Sequence, residues 1–287
     1  MGKIQRAVAL SVAFLLALTL CAWAVVGSLL TTVYSPKFVE RYVEGAYTDA
    51  AYDALMDNWS NFGEPALIPQ SVFEKALPRA QFAEYLRQYM LNLWETGAYS
   101  TRTDAEEVKV SLMAAFTAYA AEVNTPMTQA LEDALSTLRN SCVEAYHTHT
   151  NVPGIDSVFL AMLTTKKPVA IVFWILSALL VLLGLTVFRF KRYWGGGLRE
   201  TSYGVFSATL LLAGAALWLL TTNPFAAANL NPPHLRLPLM AIAGDLAWQW
   251  LAVAAATLLI GATLVWLAER PHAKRSARRV RKNFGNS

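Results

Sequence analysis

Charged residues are scarce in this chain, and four long stretches contain none. Only 15% of the 287 residues are charged, against about 25% in an average soluble domain. No Asp, Glu, Lys, Arg or His occurs within residues 7–30, 168–188, 203–220 or 246–267. A helix crosses the hydrocarbon layer of a bilayer in about 20 residues, so these runs predict four transmembrane helices, TM1 to TM4.

Strand patterns and cysteines are also sparse. No sustained alternation of apolar and polar residues occurs between the runs, which excludes a sheet and favours an all-α fold. Of the two cysteines, Cys21 lies within TM1 and Cys142 lies in an apolar helical stripe. A disulfide framework is therefore excluded, and we expect Cys142 to be a packed, poorly reactive core residue.

Basic residues are concentrated in three segments, which indicates how the chain is oriented. The head 1–6, the loop 189–202 and the tail 268–287 contain 13 Lys and Arg but only two acidic residues. Segment 31–167 has 17 acidic and 10 basic residues, and loop 221–245 has one of each. Because cytoplasmic segments carry the excess of Lys and Arg, we predict a multi-pass cell-membrane protein with cytoplasmic termini and residues 31–167 outside.

An alternative for TM1 is a cleaved signal peptide. Ala22-Trp23-Ala24 has the small-x-small form of a cleavage site behind a basic head. The apolar stretch continues to Leu30, longer than a signal peptide requires, which favours a retained anchor. Cleavage would leave three spans and an outside N-terminus.

Proline and glycine divide segment 31–167 into helical stretches with apolar stripes. Ser71 with Glu74, and Thr103 with Glu106, have the spacing of helix-capping boxes. The fold class that follows is a four-transmembrane-helix bundle with an extracytoplasmic antiparallel helical bundle inserted between TM1 and TM2. The expected helices are 36–59, which Gly45 can divide, 71–96 with a break at Pro78, 103–125 and 126–147.

Three histidines are candidate metal ligands on the outer side. His147 and His149 lie near the end of the fourth bundle helix, and His234 lies in loop 221–245. Zinc takes such ligands, but residues two apart on a helix diverge by about 200°, so shared ligation requires an extended backbone. We expect ordinary polar residues here, without a metal or other cofactor, and the Asn58-Trp59-Ser60 sequon to be coincidental.

Within the spans, small residues four apart indicate close helix packing. Gln249 is the candidate for a hydrogen bond between helices. The absence of ionisable residues from the spans argues against a self-contained pump. The predicted packing residues are Gly204, Ala208, Gln249, Ala252, Ala256 and Gly261.

The basic tail is expected to fix the orientation of the chain and to contact anionic lipid headgroups. We expect the lipid bilayer and an envelope protein as partners, and no nucleic acid. The tail residues that face lipid in this prediction are Lys274, Arg275, Arg278, Arg279, Arg281 and Lys282.

In topology the chain is similar to claudin-like proteins and to the four-helix permease subunits of mechanotransmitting ABC transporters. Segment 31–167 has the single cysteine Cys142 and lacks the claudin W, GLW, C, C pattern. The inner loop, with Gly195-Gly196-Gly197, offers little for docking an ATPase. The resemblance is one of layout, and it carries no functional residues over.

The function that the sequence favours is a non-enzymatic envelope protein whose outer domain binds another component or senses a stimulus. One alternative is a transporter or ABC-permease-like membrane subunit. A second is a membrane enzyme that combines the histidines with outer acids. Those acids are Glu64, Glu144, Asp156 and Asp245.

Overall fold

The computed structural model describes residues 3–97, 104–151, 155–194 and 198–284. Within these ranges, side chains are described from 4 to 267 except at 5, 6, 156, 188, 190–198 and 200. Within these residues the fold is all-helical, with 87% helix and no strand. Short 3₁₀ turns occur at Glu64–Ala66 and Pro233–Leu235. The α-helices are α1 Lys3–Thr31, α2 Phe38–Tyr42, α3 Ala46–Gly63, α4 Gln70–Ala76, α5 Arg79–Thr96, α6 Asp104–Glu122, α7 Gln129–Thr150, α8 Ile155–Trp194, α9 Leu198–Thr222 and α10 Arg236–Phe284.

The chain divides into two compact units. The first, called the apolar unit below, comprises Met1–Tyr34, Lys166–Pro224 and Ile242–Ser287. The second, called the helical domain, comprises Ser35–Thr165 and Phe225–Ala241. The segment between α9 and α10 therefore belongs mainly to the helical domain, although it is remote from it in sequence.

Four helices of the described chain are long and apolar enough to cross a membrane, which is what a multi-pass membrane protein requires. Their mean hydropathy is between 1.8 and 2.7. The candidate spans are Ala7–Thr31, Ser157–Val187, Thr201–Thr222 and Pro233–Leu267.

The helical domain has a continuous core built from large side chains. Helix α3 packs against α4, α5 and α7, and α6 packs against α4 and α7. Trp59 at the centre is fully buried and donates a hydrogen bond from Nε1 to the carbonyl oxygen of Cys142 at 2.8 Å. Cys142 itself is buried and free, which confirms the core position predicted for it. The largest enclosed side chains are Trp59, Tyr146, Phe73, Phe82 and Phe116.

Several helix limits of the domain follow local signals, and others differ from the prediction. The predicted helix 36–59 is divided into α2 and α3 and extends to Gly63, and α6 ends at Glu122, three residues before the predicted limit. Thr103 of the second predicted capping box lies outside the described residues.

Helix α5 begins after Pro78 and ends at Gly97, which has φ 63°, as predicted. The predicted capping box at Ser71 is wrong, because α4 starts one residue earlier, after Pro69, without a side-chain cap. The last helix of the bundle starts after Thr128, whose side chain accepts a hydrogen bond from the Leu131 amide, and not at residue 126.

Helix α10 begins at Arg236, ten residues before the apolar run from 246. Pro238 lies in its first turn, where the amide hydrogens have no partner within the helix and proline is tolerated. The preceding segment is not a free loop, because Leu235 packs against the core of the helical domain. Loop 221–245 thus contains both an ordered contact segment and the start of a helix.

Candidate functional site

Two buried histidines from distant parts of the sequence meet in the helical domain. His149 lies in the last turn of α7, and His234 lies in the 3₁₀ turn Pro233–Leu235. Their ring centroids are 5.7 Å apart, with an interplanar angle of 29°. His234 is 6% exposed and His149 is 7% exposed. The turn places His234 because Pro232 before it is extended and Pro233 fixes the first residue of the turn.

Helix α3 supplies the other side of this site, through Tyr47 and Asn58. The Tyr47 ring lies 5.2 Å from the His234 ring, centroid to centroid. The amide nitrogen of Asn58 is 2.6 Å from Nε2 of His149. When Asn58 donates this bond, Nε2 is the acceptor and the proton of His149 lies on Nδ1. The four side chains, from α3, α7 and the 3₁₀ turn, are called the histidine cluster below.

Three polar atoms of the histidine cluster are buried and have no hydrogen-bond partner among the described residues. They are Nδ1 of His149, Nε2 of His234 and the hydroxyl of Tyr47. Burial lowers the pKa of His149, because an imidazolium loses its hydration when it is taken out of water. Burial also raises the pKa of Tyr47 to about 12. At neutral pH the cluster is therefore a set of uncharged groups.

The third histidine candidate, His147, is separated from this pair. Helix α7 is regular through Thr150, so His147 and His149 point in diverging directions instead of sharing a ligand. His147 lies beside the Tyr146 ring, at a centroid distance of 6.1 Å. Among the described residues, no group of three His, Cys, Asp or Glu side chains is placed to hold a metal ion. Two of the three predicted ligands, His149 and His234, therefore meet, while His147 does not join them.

An open groove of about 410 Å³ lies beside Leu67. Leu67 adopts φ 54°, a left-handed backbone conformation that is unusual for a residue other than glycine. Its side chain is 83% exposed, while its carbonyl oxygen accepts a hydrogen bond from the Tyr119 hydroxyl at 2.9 Å. The backbone is thus held in a conformation that presents a leucine to solvent.

A second groove, of about 780 Å³, follows α6 beside α7. Val110 lines it and is 68% exposed. Alanines at 114, 118 and 121 continue the surface along α6, and Arg139 of α7 borders it. The helical domain therefore exposes apolar surface at two places where its own core does not use it.

In the apolar unit, hydrogen bonds between side chains join different helices. Gln249 accepts a hydrogen bond from the Thr31 hydroxyl at 2.9 Å. This bond joins α10 to α1 and is of the interhelical kind for which Gln249 was the candidate. Thr209 and Thr257 share a buried bond of 2.8 Å between α9 and α10. The indole of Trp23 donates to Ser177 at 2.9 Å. Each bond satisfies a polar group that would be costly in hydrocarbon.

The predicted packing residues divide between contacting and exposed positions. A Cβ on Gly204 would lie 2.3 Å from the carbonyl oxygen of Ala13, so this glycine allows α1 and α9 to approach closely. Ala208 is fully buried beside it on α9, and a Cβ on Gly261 would meet the Phe206 ring at 2.9 Å. Ala252 and Ala256, in contrast, lie on an exposed face of α10.

The contacting face of α10 contains Ala254 and Thr257, both of which are buried. The side chains of the basic tail, Lys274 to Lys282, lie outside the described residues. Asn58, the first residue of the sequon, is half-buried and bonded to His149, and Trp59 is enclosed. Both observations favour a structural role for Asn58.

Sequence reasoning identified the histidines but not Tyr47 and Asn58. These two residues are eleven positions apart on α3, which is about three helical turns, so they share a face. This spacing could have indicated from the sequence that Tyr47 and Asn58 lie on the same side of α3. Nothing local indicated that His234 would meet them, because this contact depends on how a distant segment folds back.

Comparison with known protein families, with curated proteins and with solved structures returns no match.

Proposed function

We propose that the chain is a non-enzymatic integral membrane protein. Its helical domain lies on the outer side of the membrane, where it binds another envelope component or senses a stimulus. The observation that carries this proposal is the helical domain itself, a unit with its own hydrophobic core. An organised domain of this kind, attached to apolar helices, suits recognition or sensing better than a plain anchor.

The connections between the units support a coupling role. In the described chain the sequence passes between them at four places, near residues 34, 165, 224 and 241. Helices α8 and α10 each contain residues of both units. A helix transmits displacement along its axis better than a flexible linker does, so a partner bound to the domain can influence the spans.

The exposed apolar residues of the helical domain support the binding role. Leu67 and Val110 remain exposed although the domain has a complete core around Trp59. A residue held in an unusual backbone conformation with an exposed apolar side chain is a reasonable indicator of function. Ile171 in α8 is 60% exposed as well, but there contact with lipid is sufficient to explain the exposure.

The placement of the domain is testable by cysteine labelling. Cys142 is fully buried, and burial raises its pKa to about 12, so the natural domain cysteine reacts poorly with maleimides. In a Cys21→Ala background, we expect Glu132→Cys to react with a membrane-impermeant maleimide in intact cells. Arg278→Cys should react only after the cells are opened. Equal labelling of both in intact cells would contradict the proposed orientation.

The binding role is testable with photo-reactive residues in the full chain. A photo-reactive phenylalanine analogue at Leu67 or Val110 should give a discrete protein adduct in living cells. The same probe at Gln88, an exposed polar position on α5, serves as the matched control. A probe at Ile171 should cross-link mainly to lipid. Failure of both domain positions to give an adduct beyond that at Gln88 would count against the proposal.

A further inference from the structure

We propose that the histidine cluster is a proton-sensitive clasp that holds segment 225–241 on the helical domain and releases it in mild acid. This inference rests on the proposed sensing role and makes it more specific. The stimulus it names is a fall in pH on the side of the membrane that the domain faces. The argument rests on what holds the segment, on what surrounds the two rings, and on what protonation changes.

Segment 225–241 is held on the helical domain mainly through the 3₁₀ turn. It has only short-range backbone hydrogen bonds before α10, such as that from the Leu235 amide to the Pro232 carbonyl. Arg236 adds bonds to the carbonyls of Pro233 and Ala226, within the same segment. These bonds stabilise the segment but do not attach it to α3 or α7. Attachment depends on the packing of Leu235 and on the buried ring of His234, which has a hydrogen bond with the His149 backbone of α7.

Around His234 the groups that oppose a positive charge outweigh the one that favours it. Burial and the neighbouring His149 ring lower the pKa of His234 to about 4, although a hydrogen bond with the His149 backbone acts in the opposite direction. The titratable or charged groups on its sides are Tyr47 from α3, His149 from α7 and Arg236 from the following turn. Asn58 contributes an amide on the far side of His149. Within the described residues no carboxylate joins the two histidines in a cluster. A proton on either ring is therefore buried next to another base or a guanidinium.

The groove beside the cluster gives the segment a place to separate. It has a volume of about 520 Å³ and lies between Ala50 and Ala54 of α3 and residues 226–240 of the segment. Its lining is mostly alanine, proline, leucine and methionine, with His234 and Arg236 as the polar side chains. Small α3 side chains make few contacts there, so His234 and Leu235 account for much of the attachment.

The direction of the pH effect follows from proton linkage. In the attached state burial lowers the pKa of His149, and burial together with the His149 ring lowers the pKa of His234 to about 4. A solvated histidine has a pKa near 6.5. The released state thus binds more protons. Attachment is strongest above about pH 6.5 and weakens as the pH falls below that value. At pH 5.5 the protonation of His234 alone weakens the attachment equilibrium about tenfold, and His149 adds to this, up to about hundredfold for the pair.

Hydrogen exchange of the full-length protein in lipid nanodiscs tests the clasp. Exchange of peptides from 225–241 is compared at pH 7.5 and pH 5.5 after correction for the intrinsic pH dependence. We expect about tenfold to hundredfold faster exchange at pH 5.5. Peptides from α5, which contains no histidine, should change by less than twofold. An unchanged segment, or an equal acceleration in α5, would overturn the proposal.

Three variants assign the effect to the pair. His234→Phe keeps a ring against Tyr47 and His149 but does not titrate. The acceleration of exchange between pH 7.5 and pH 5.5 should therefore be about tenfold smaller than in the natural protein. His149→Gln combined with His234→Phe should remove the response. His147→Gln, on the same helix but outside the cluster, should keep the full response.

A full acid response in His234→Phe would overturn the clasp. If the double variant already exchanges rapidly at pH 7.5, the result for His234→Phe alone decides, because that variant keeps the aromatic packing. The measurement uses purified protein without a partner. The exchange experiment can therefore fail while cross-linking at Leu67 and Val110 succeeds. It can also succeed while the cross-linking fails, so the two proposals are tested separately.

Discussion

The two units of the chain place large and small side chains in opposite positions. In the helical domain the enclosed residues are large, such as Trp59 and Phe73, and the ion pairs of Arg79 and Arg87 lie on the surface. In the apolar unit the enclosed residues are mostly Ala, Ser and Thr, while Trp174 is 71% exposed and Leu210 is 74% exposed. Large apolar residues belong inside in water, whereas small residues mediate helix contacts in lipid.

This inversion explains why one chain contains two kinds of stability. In the helical domain burial of apolar area is the main stabilising term, at about 25 cal/mol per Å². In the apolar unit lipid competes equally for large apolar side chains, so close approach and hydrogen bonds between helices decide the packing. Substitutions of one chemical type should therefore have unequal effects in the two units.

The largest expected effect is that of Trp59→Ala in the helical domain. Removal of a fully buried tryptophan costs about 3–5 kcal/mol, and here it also removes the donor for the Cys142 carbonyl. We expect the denaturant midpoint of the domain, followed by pulse proteolysis of protein in detergent, to fall by a corresponding amount.

The matched control for this substitution is Trp174→Ala. Trp174 is exposed on α8 in the apolar unit, so its loss should cost less than about 1 kcal/mol. Equal destabilisation by the two substitutions would mean that the inversion of side-chain positions has no energetic basis.

An intermediate effect is expected for Gly204→Ala in the apolar unit. The added methyl would lie 2.3 Å from the backbone carbonyl oxygen of Ala13, and backbone cannot move aside as a flexible side chain does. Forced separation of packed elements costs about 1–3 kcal/mol. Unfolding in mixed detergent and SDS micelles, followed by circular dichroism, measures this loss.

Gly214 provides the control for that experiment on the same helix. A Cβ at Gly214 would meet nothing within 4 Å, so Gly214→Ala should be neutral or stabilising by up to about 1 kcal/mol, because alanine is the better helix former. If both substitutions stabilise the protein, the contact between α1 and α9 is not the close packing described here.

Local signals in the sequence predicted the spans and several helix ends, whereas contacts between distant segments could not be predicted. The absence of charge marks an apolar helix regardless of its neighbours, and Gly97 ends α5 through its own backbone conformation. The contacting face of α10 was not predictable, because small and apolar residues occur on all its sides. Ala252 and Ala256 were expected to pack, yet Ala254 and Thr257 are the buried pair.

The candidate site shows the same limit. The three histidines were recognisable as chemistry-bearing residues, but which of them meet depends on the return of residues 225–241 to α3. Helical geometry separates His147 from His149, and only the tertiary fold brings His234 to His149 at 5.7 Å. Asn58 had the form of a sequon, and its bond to His149 became visible only in the structure.

The smallest expected effect is that of Thr209→Val, which tests hydrogen bonding between α9 and α10. Valine keeps the shape of threonine but removes the buried 2.8 Å bond to Thr257. Such bonds in membranes contribute about 0.6 kcal/mol and at most about 1.7 kcal/mol, because polar groups also find partners in the unfolded state. The Thr209 hydroxyl also bonds the Val205 carbonyl of its own helix, which Thr209→Val removes as well. The hydroxyl of Thr263 bonds only its own helix among the described contacts, so Thr263→Val should cost less.

In a double-mutant cycle of Thr209→Val and Thr257→Val, the second substitution should add little to the first. A fully additive pair would show that shape, and not the shared hydroxyl bond, holds these two helices together.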